Sequence, residues 1–314
     1  MKLLFFLVGI IAFGNVYSQD VDADTIPPNW KLKMTAGING TQSSFVNWSA
    51  GGRNNISILG YIDASANYTK DKLKWDNDLG LALGGLQYID KGASEGLQKT
   101  DDRIDIATTF GYKIKEHWYA SMLAGFRTQF LDGLVYPNDS VRVSTFMAPA
   151  YANVALGIDY SPNEHLTIFL SPLASKMTFV RDQVLSNAGA FGVTPAEYDL
   201  TTGDVITAGK MFRGEFGAYF KIKYNNTLAK NIELKSKLEL FSNYLDRPEN
   251  IDVNAEVIFN FKVNSWFSAS LNWNLLYDHD INLTDSKGGY GPRTQFKSVI
   301  GLGVSYTMKN FKEK

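Results

Sequence analysis

From about residue 31 to the end of the chain, apolar side chains recur at every second position, and no helical period competes with that pattern. In "NISILGYIDASANYTK", Ile56, Ile58, Gly60, Ile62, Ala64, Ala66 and Tyr68 share one face, with Ser57, Asp63, Ser65 and Asn67 on the other. "RIDIATTFGYKI" sets Ile104, Ile106, Phe110, Tyr112 and Ile114 against Arg103, Asp105 and Lys113. A period of two belongs to a strand whose faces meet different surroundings. About twelve such strands are expected, at 31–47, 54–69, 73–89, 102–114, 117–131, 144–160, 165–180, 210–225, 231–244, 251–263, 266–278 and 293–308. The segment 165–180, with "LSPLASKM", alternates least regularly, and its facing stays open.

The connections alternate in length. "KDK", "KEH", "SPNEH", "NTLAK" and "NS" are short, whereas "DKGASEGLQKTD", "LDGLVYPNDSVR", the 28-residue stretch 181–208 and "HDINLTDSKGGYGP" are long. Short turns at one end and long loops at the other characterise an up-and-down transmembrane β-barrel. A soluble β-sandwich alternates too, but three features favour the membrane. Strands of about 14 residues rise roughly 45 Å, long for a sandwich. Aromatics gather beside the short turns, among them Tyr68, Trp75, Tyr112, Trp118, Tyr160, Tyr224, Phe261, Trp266 and Phe267, as in an interfacial girdle. The apolar faces are rich in Ala and Gly, which would fill a soluble core poorly.

The first 18 residues read as a cleaved signal peptide: Lys2, an apolar run over 3–13, then Val16 and Ser18 before a cleavage ahead of Gln19. That run is too short to span a bilayer as a helix. A short periplasmic segment, 19–30, and the barrel, 31–314, complete the expected organisation. The 314 residues carry a formal net charge of −1, which gives no electrostatic case for nucleic acid as a partner. With no cysteine, the chain has no disulfide, thiol nucleophile or lipid-anchored thiol.

Five motifs carry a resemblance to a family: "NWSAGG" at 47–52, "KLKWDNDLGLALG" at 72–84, "LSPLASKMTFVRD" at 170–182, the Gly-Ala-Phe-Gly run at 189–192 and "KNIELKSKLELFSNYL" at 230–245. Together they resemble an uncharacterised outer-membrane β-barrel family of the Bacteroidota that bears a domain-of-unknown-function label. The resemblance covers nearly the whole mature chain and implies an outer-membrane location, with lipid as the surrounding partner. It carries no activity.

Three groups of residues are candidates for function. At the end of the first hairpin, the glycines of "WSAGGR" permit a tight turn, and Asn47, Trp48, Arg53 and Asn55 form a candidate ligand or partner-contact patch. Inside the barrel, Asp63, Arg103, Asp105, Arg127, Arg213, Glu215, Lys235, Glu239 and Glu256 are expected to face the lumen, joined by Lys221, Glu233, Lys237 and Lys297, with signs interleaved so that pairs form across strands. No metal centre or cofactor is expected. The nearest approach to a cation site is Asp278, Asp280 and Asp285 around His279 in "DHDINLTD".

His117 and His165 sit in short turns and read as polar punctuation rather than catalytic groups. Asp76 and Asp78, beside Lys74, read as part of an ion-pair network. No phosphate loop, dinucleotide fingerprint or zinc spacing is present. The expected function is a narrow or plugged outer-membrane barrel for small-solute binding or passage. The alternative is a structural or assembly partner of another envelope protein, and an enzyme ranks third.

Overall fold

The computed structural model describes residues 29–44, 53–90, 95–136, 140–264, 266–284 and 289–311. Twelve strands form one closed antiparallel barrel: β1 (Trp30–Ser43), β2 (Asn55–Lys70), β3 (Leu73–Tyr88), β4 (Gln98–Lys115), β5 (Trp118–Thr128), β6 (Ala150–Tyr160), β7 (Leu166–Phe179), β8 (Phe212–Ala229), β9 (Ile232–Asn243), β10 (Ile251–Lys262), β11 (Phe267–Tyr277) and β12 (Gln295–Lys309). Each strand pairs with its neighbours in sequence, and β12 returns to β1 from Lys33↔Lys309 to Gly40↔Leu302. Closure satisfies the ladder hydrogen bonds on both edges of every strand, a requirement for backbone that lies in lipid.

All twelve expected strands are present, and the differences lie at their ends. β5 stops at Thr128 rather than 131, because the amides of Phe130 and Leu131 turn to the Asp102 carboxylate at 2.7 and 2.9 Å. β6 starts at Ala150 rather than 144: Thr145 and Ala148 bond each other's backbone, and Pro149 has no N–H to offer the ladder. β8 runs on through most of "NTLAK", leaving Lys230 and Asn231 as the turn.

The short turns follow from local chemistry. Asp71 and His117 take positive φ (53° and 64°), a region that Asp and His tolerate better than most residues. In the turns after β6 and β10, the side-chain oxygens of Asn163 and Asn264 each accept two backbone N–H groups.

β7 explains the irregular alternation of 165–180. Opposite β8, Tyr219 pairs with Ser171 but Gly217 pairs with Ala174, so the strand bulges at Pro172 and Leu173. Before the bulge Phe169 and Ser171 are buried while Leu170 faces out; after it Ala174 and Thr178 are buried while Leu173 faces out. A bulge is one of the few places where a sheet accepts proline. The Ser171 hydroxyl bonds the Leu156 carbonyl at 2.7 Å and receives the Leu173 amide at 3.1 Å. Gly157 lies across from the bulge, where a Cβ would collide with the Leu170 carbonyl.

The barrel is inverted relative to a soluble protein. Ile106, Phe110, Met122, Leu156, Leu170, Leu173, Ile300 and Leu302 are exposed on the outer wall, while Glu215, Lys221 and Asp159 are buried inside. Near the short turns, Trp30 packs on Tyr68 and Trp75 at 5.2 and 5.7 Å, and Trp118 on Tyr160 at 4.5 Å, which forms an aromatic belt at that rim. An apolar, exposed outer wall around a charged interior defines a membrane-spanning barrel. Replacing Leu156, which is 52% exposed on that wall, by Arg is expected to destabilise the barrel by about 2–4 kcal/mol. Denaturant unfolding from lipid vesicles measures this loss.

Candidate functional site in the barrel lumen

The alternation that sends Ile, Leu and Phe to lipid sends the charged residues of the same strands inward. In a barrel of this size such a side chain meets either water or the opposite wall. Here the opposite wall supplies partners. Arg103 on β4 bonds Glu256 on β10 at 2.8 Å, between strands six apart in a ring of twelve. Lys223 on β8 reaches Asp78 on β3 at 2.5 Å, and Lys33 on β1 reaches Glu233 on β9 at 2.9 Å. Lys297 on β12 reaches Asp101 on β4 at 3.0 Å.

At mid-height, Arg127 on β5 holds Asp105 on β4 at 2.9 Å and approaches Glu239 on β9 at 3.7 Å. Glu239 also accepts from the Tyr219 hydroxyl at 2.8 Å and from Asn254 at 2.7 Å. Every carboxylate of this belt faces a cation. Removing one member of such a pair leaves a buried charge unmatched, at about 3–5 kcal/mol.

Two cavities lie along the interior, with residues of this belt in their walls. One, of about 240 Å³, lies toward the short turns and is walled by Lys33, Asp63, Asp78, Lys223, Lys235 and Glu256 among others. The second, of about 220 Å³, lies toward the long loops between Arg127, Tyr151, Lys176, Tyr219, Phe241 and Asp252. Asp105, Lys221 and Lys237 line both.

Above the second chamber, Lys176 gathers Asp252 at 2.6 Å, Asp278 at 2.7 Å and Glu215 at 3.7 Å. Arg213 bonds Glu215 at 3.0 Å and pairs with Asp280.

The long 181–208 stretch folds over this end of the barrel. Its helix α1 (Gln183–Asn187) starts at Asp182, whose carboxylate accepts the Leu185 amide at 2.9 Å and is held by Arg142 at 2.5 Å. Leu185 and Val193 are buried with Ala148 and Val180, against which Ala190 and Phe191 also pack. Phe191 has φ 58°, costly for a bulky residue and sustained by this packing. Arg213 ties the turn to the barrel by donating to the Gly192 carbonyl at 3.3 Å.

The remaining candidates divide. Arg53 stacks over Tyr88 at 3.8 Å and binds Glu95 at 2.8 Å and Asp90 at 3.2 Å; the Glu95 bond raises its guanidinium pKa further. The Asn55 amide donates to the Arg53 carbonyl at 3.0 Å. Arg53 therefore clasps the first two long connections together, while Asn55 bonds within its own connection. Asn47 and Trp48 lie outside the described residues.

Asp278 and Asp280 are engaged by Lys176 and Arg213, Asp285 lies outside the described residues, and no three potential metal ligands cluster among the described residues. His165 bonds the Asn225 carbonyl, and His279 the Tyr277 hydroxyl. Asp76 pairs with Lys74 at 3.1 Å, whereas Asp78 crosses the lumen instead.

Lys176, Asp252 and Lys33 are lumen residues beyond the sequence expectation. Lys176 follows the bulge, where the count of alternate positions is broken. The acidic run of "NIDVNAE", from 250 to 256, already carried the parity of Asp252.

The architecture is thus a membrane-spanning β-barrel with a charge-filled interior. Two family models match parts of the chain, both described as proteins of unknown function: DUF3078 over residues 41–134 and DUF481 over residues 191–306. They fit an uncharacterised family. No curated protein sequence matches the chain.

Among solved structures, the chain is similar to the translocator domain of autotransporter NalP from Neisseria meningitidis, at 11% identity and TM-score 0.36 over 95% of each chain. It is also similar to an outer-membrane channel from Pseudomonas putida F1, at 12% identity and TM-score 0.38 over 92% of this chain and 98% of that one. A third is the NanC porin, at 9% identity and TM-score 0.36 over 88% and 98%. These likenesses are loose.

Replacing Arg213 by Ala is expected to free the turn at 189–193 without unfolding the barrel, since local openings need not involve the whole fold. Hydrogen exchange in detergent checks this: amides of 189–196 speed up while those of β8 and β9 hold.

Proposed function

We propose that the chain is an outer-membrane barrel, exported by its N-terminal signal, whose interior is closed to bulk flow and admits only small solutes through the two chambers. The Arg103–Glu256 pair carries this reading, because a 2.8 Å bond between strands six apart spans the lumen. Lys33–Glu233 and Lys223–Asp78 cross the lumen as well, and the 181–208 segment lies at the long-loop end. The reading includes no catalytic step and calls for no cofactor.

Two measurements test it. In planar bilayers the native barrel is expected to give small or no steady conductance, well below that of a general porin. The double variant Arg103→Met with Glu256→Met removes the bridge without leaving a charge unmatched, and is expected to raise conductance several-fold. A large stable conductance in the native protein would overturn the closed-lumen reading. For orientation, cysteines at Thr202 and Glu164 place one thiol at each end, in a chain with none of its own. On intact cells an impermeant maleimide is expected to label the first and not the second.

A second reading, a scaffold for another envelope protein, is favoured by apolar residues at the long-loop end: Leu200, Ile206 and Leu245 are all strongly exposed. A double variant that stays closed would put this reading ahead.

A further inference from the structure

The cross-lumen pairs leave part of the lower chamber's charge unused. Its wall on β8 and β9 carries Lys221, Lys223, Lys235 and Lys237, from "KIK" and "KSK" in the sequence. The register sets Lys223 directly opposite Lys237 on one rung. Like charges so placed destabilise a sheet.

The chamber's carboxylates do not match this wall one for one. Asp78 is taken by Lys223 at 2.5 Å, Glu233 by Lys33 at 2.9 Å, and Glu256 by Arg103 at 2.8 Å. Asp105 belongs to Arg127 at 2.9 Å, and Asp63 lies 3.7 Å from Arg103. Lys221 lies 3.7 Å from a Glu239 oxygen, and Lys237 lies 3.5 Å from Asp105 and 3.8 Å from Glu256, long contacts to carboxylates that also serve Arg127 and Arg103. Lys235 has no ion pair or hydrogen bond among the described residues. Three ammonium groups on two adjacent strands thus face a space of about 240 Å³, Lys221 and Lys237 in long, shared ion pairs and Lys235 in none among the described residues.

We propose that this chamber binds a small polyvalent oxyanion, held by the ammonium groups of Lys221, Lys235 and Lys237. Lysine meets such an anion as a mobile point charge with three donors, and charge-assisted bonds of this kind are about twice as strong as neutral ones. A metabolite-sized anion suits the volume, which is small for a drug-sized ligand. Several negative oxygens on one solute would relieve the repulsion on the Lys223–Lys237 rung. The acids that surround the chamber would exclude anions too weakly charged to compete with them. The inference rests on the narrow-barrel reading and names its solute class.

Isothermal titration of purified barrel in detergent with inorganic pyrophosphate, citrate and chloride tests it. One saturable site is expected for pyrophosphate or citrate, and none for chloride at equal ionic strength. Preference between the two distinguishes a phosphate from a carboxylate source. Lys235→Met is expected to raise Kd about tenfold and Lys221→Met with Lys235→Met to abolish binding, while Lys230→Met, in the turn, leaves it unchanged.

Heat-modifiable migration on gels shows that each variant is folded. A misfolded double variant leaves Lys235→Met alone to decide. No saturable binding to the native barrel, or binding indifferent to Lys235→Met, overturns the proposal. Neither result bears on conductance, so an anion site that fails in a closed barrel is distinguishable from a barrel that is open.

Discussion

A strand offers each side chain two directions only, and a closed barrel assigns one of them to lipid and the other to the lumen. Everything else in this structure follows from how the second direction is filled. Lipid accepts the outer wall of Ile, Leu, Phe and Met without further arrangement. The inner wall of Lys, Arg, Asp and Glu has no such indifferent solvent in a ring of twelve strands. Its charges are drawn across the lumen to partners on strands four, five and six positions away, as Lys33, Lys223 and Arg103 are.

The strands and the facing of most of them were legible in the sequence, because a period of two depends on local composition alone. Partners across the lumen were not. That Arg103 meets Glu256 depends on strand number, tilt and height in the ring, none of which the spacing of 153 residues encodes. Lys176 was hidden for a different reason: β7 bulges at Pro172 and Leu173, and the parity on which facing arguments rely changes there. The 181–208 stretch read as loop because its helix is one turn long. Its order comes from Ala148 and Val180, residues of other segments.

The first hairpin shows how the described part of a composed-looking motif is tied to the neighbouring connection. Arg53 is conspicuous in the sequence beside two glycines and two asparagines. In the structure its guanidinium already meets Glu95, Asp90 and the Tyr88 ring. Lys235 stands in the opposite position: unremarkable in "KSK", yet placed in a chamber where its charge is not closely met.

The ion pairs also resolve an ambiguity that the apolar pattern leaves. A slip of one residue between neighbouring strands turns every side chain to the wrong face, and lipid punishes it at once. A slip of two does not: apolar residues still face lipid, polar ones still face inward, and the outer wall loses little. Between Ile104, Ile106 and Phe110 on β4, for example, the lipid sees nearly the same surface after such a shift. The lumen does not, because Arg103 would rise or fall by roughly 7 Å against Glu256.

Buried ion pairs contribute little net stability over apolar residues of equal size, and their best-attested use is to specify register. In a barrel made almost entirely of two-residue repeats, pairs set at particular heights on opposite walls make one register better than its even-numbered neighbours. The bulge in β7 acts in the same direction, since it brings the Leu170 carbonyl where only a residue without a Cβ, Gly157, fits on the neighbouring strand.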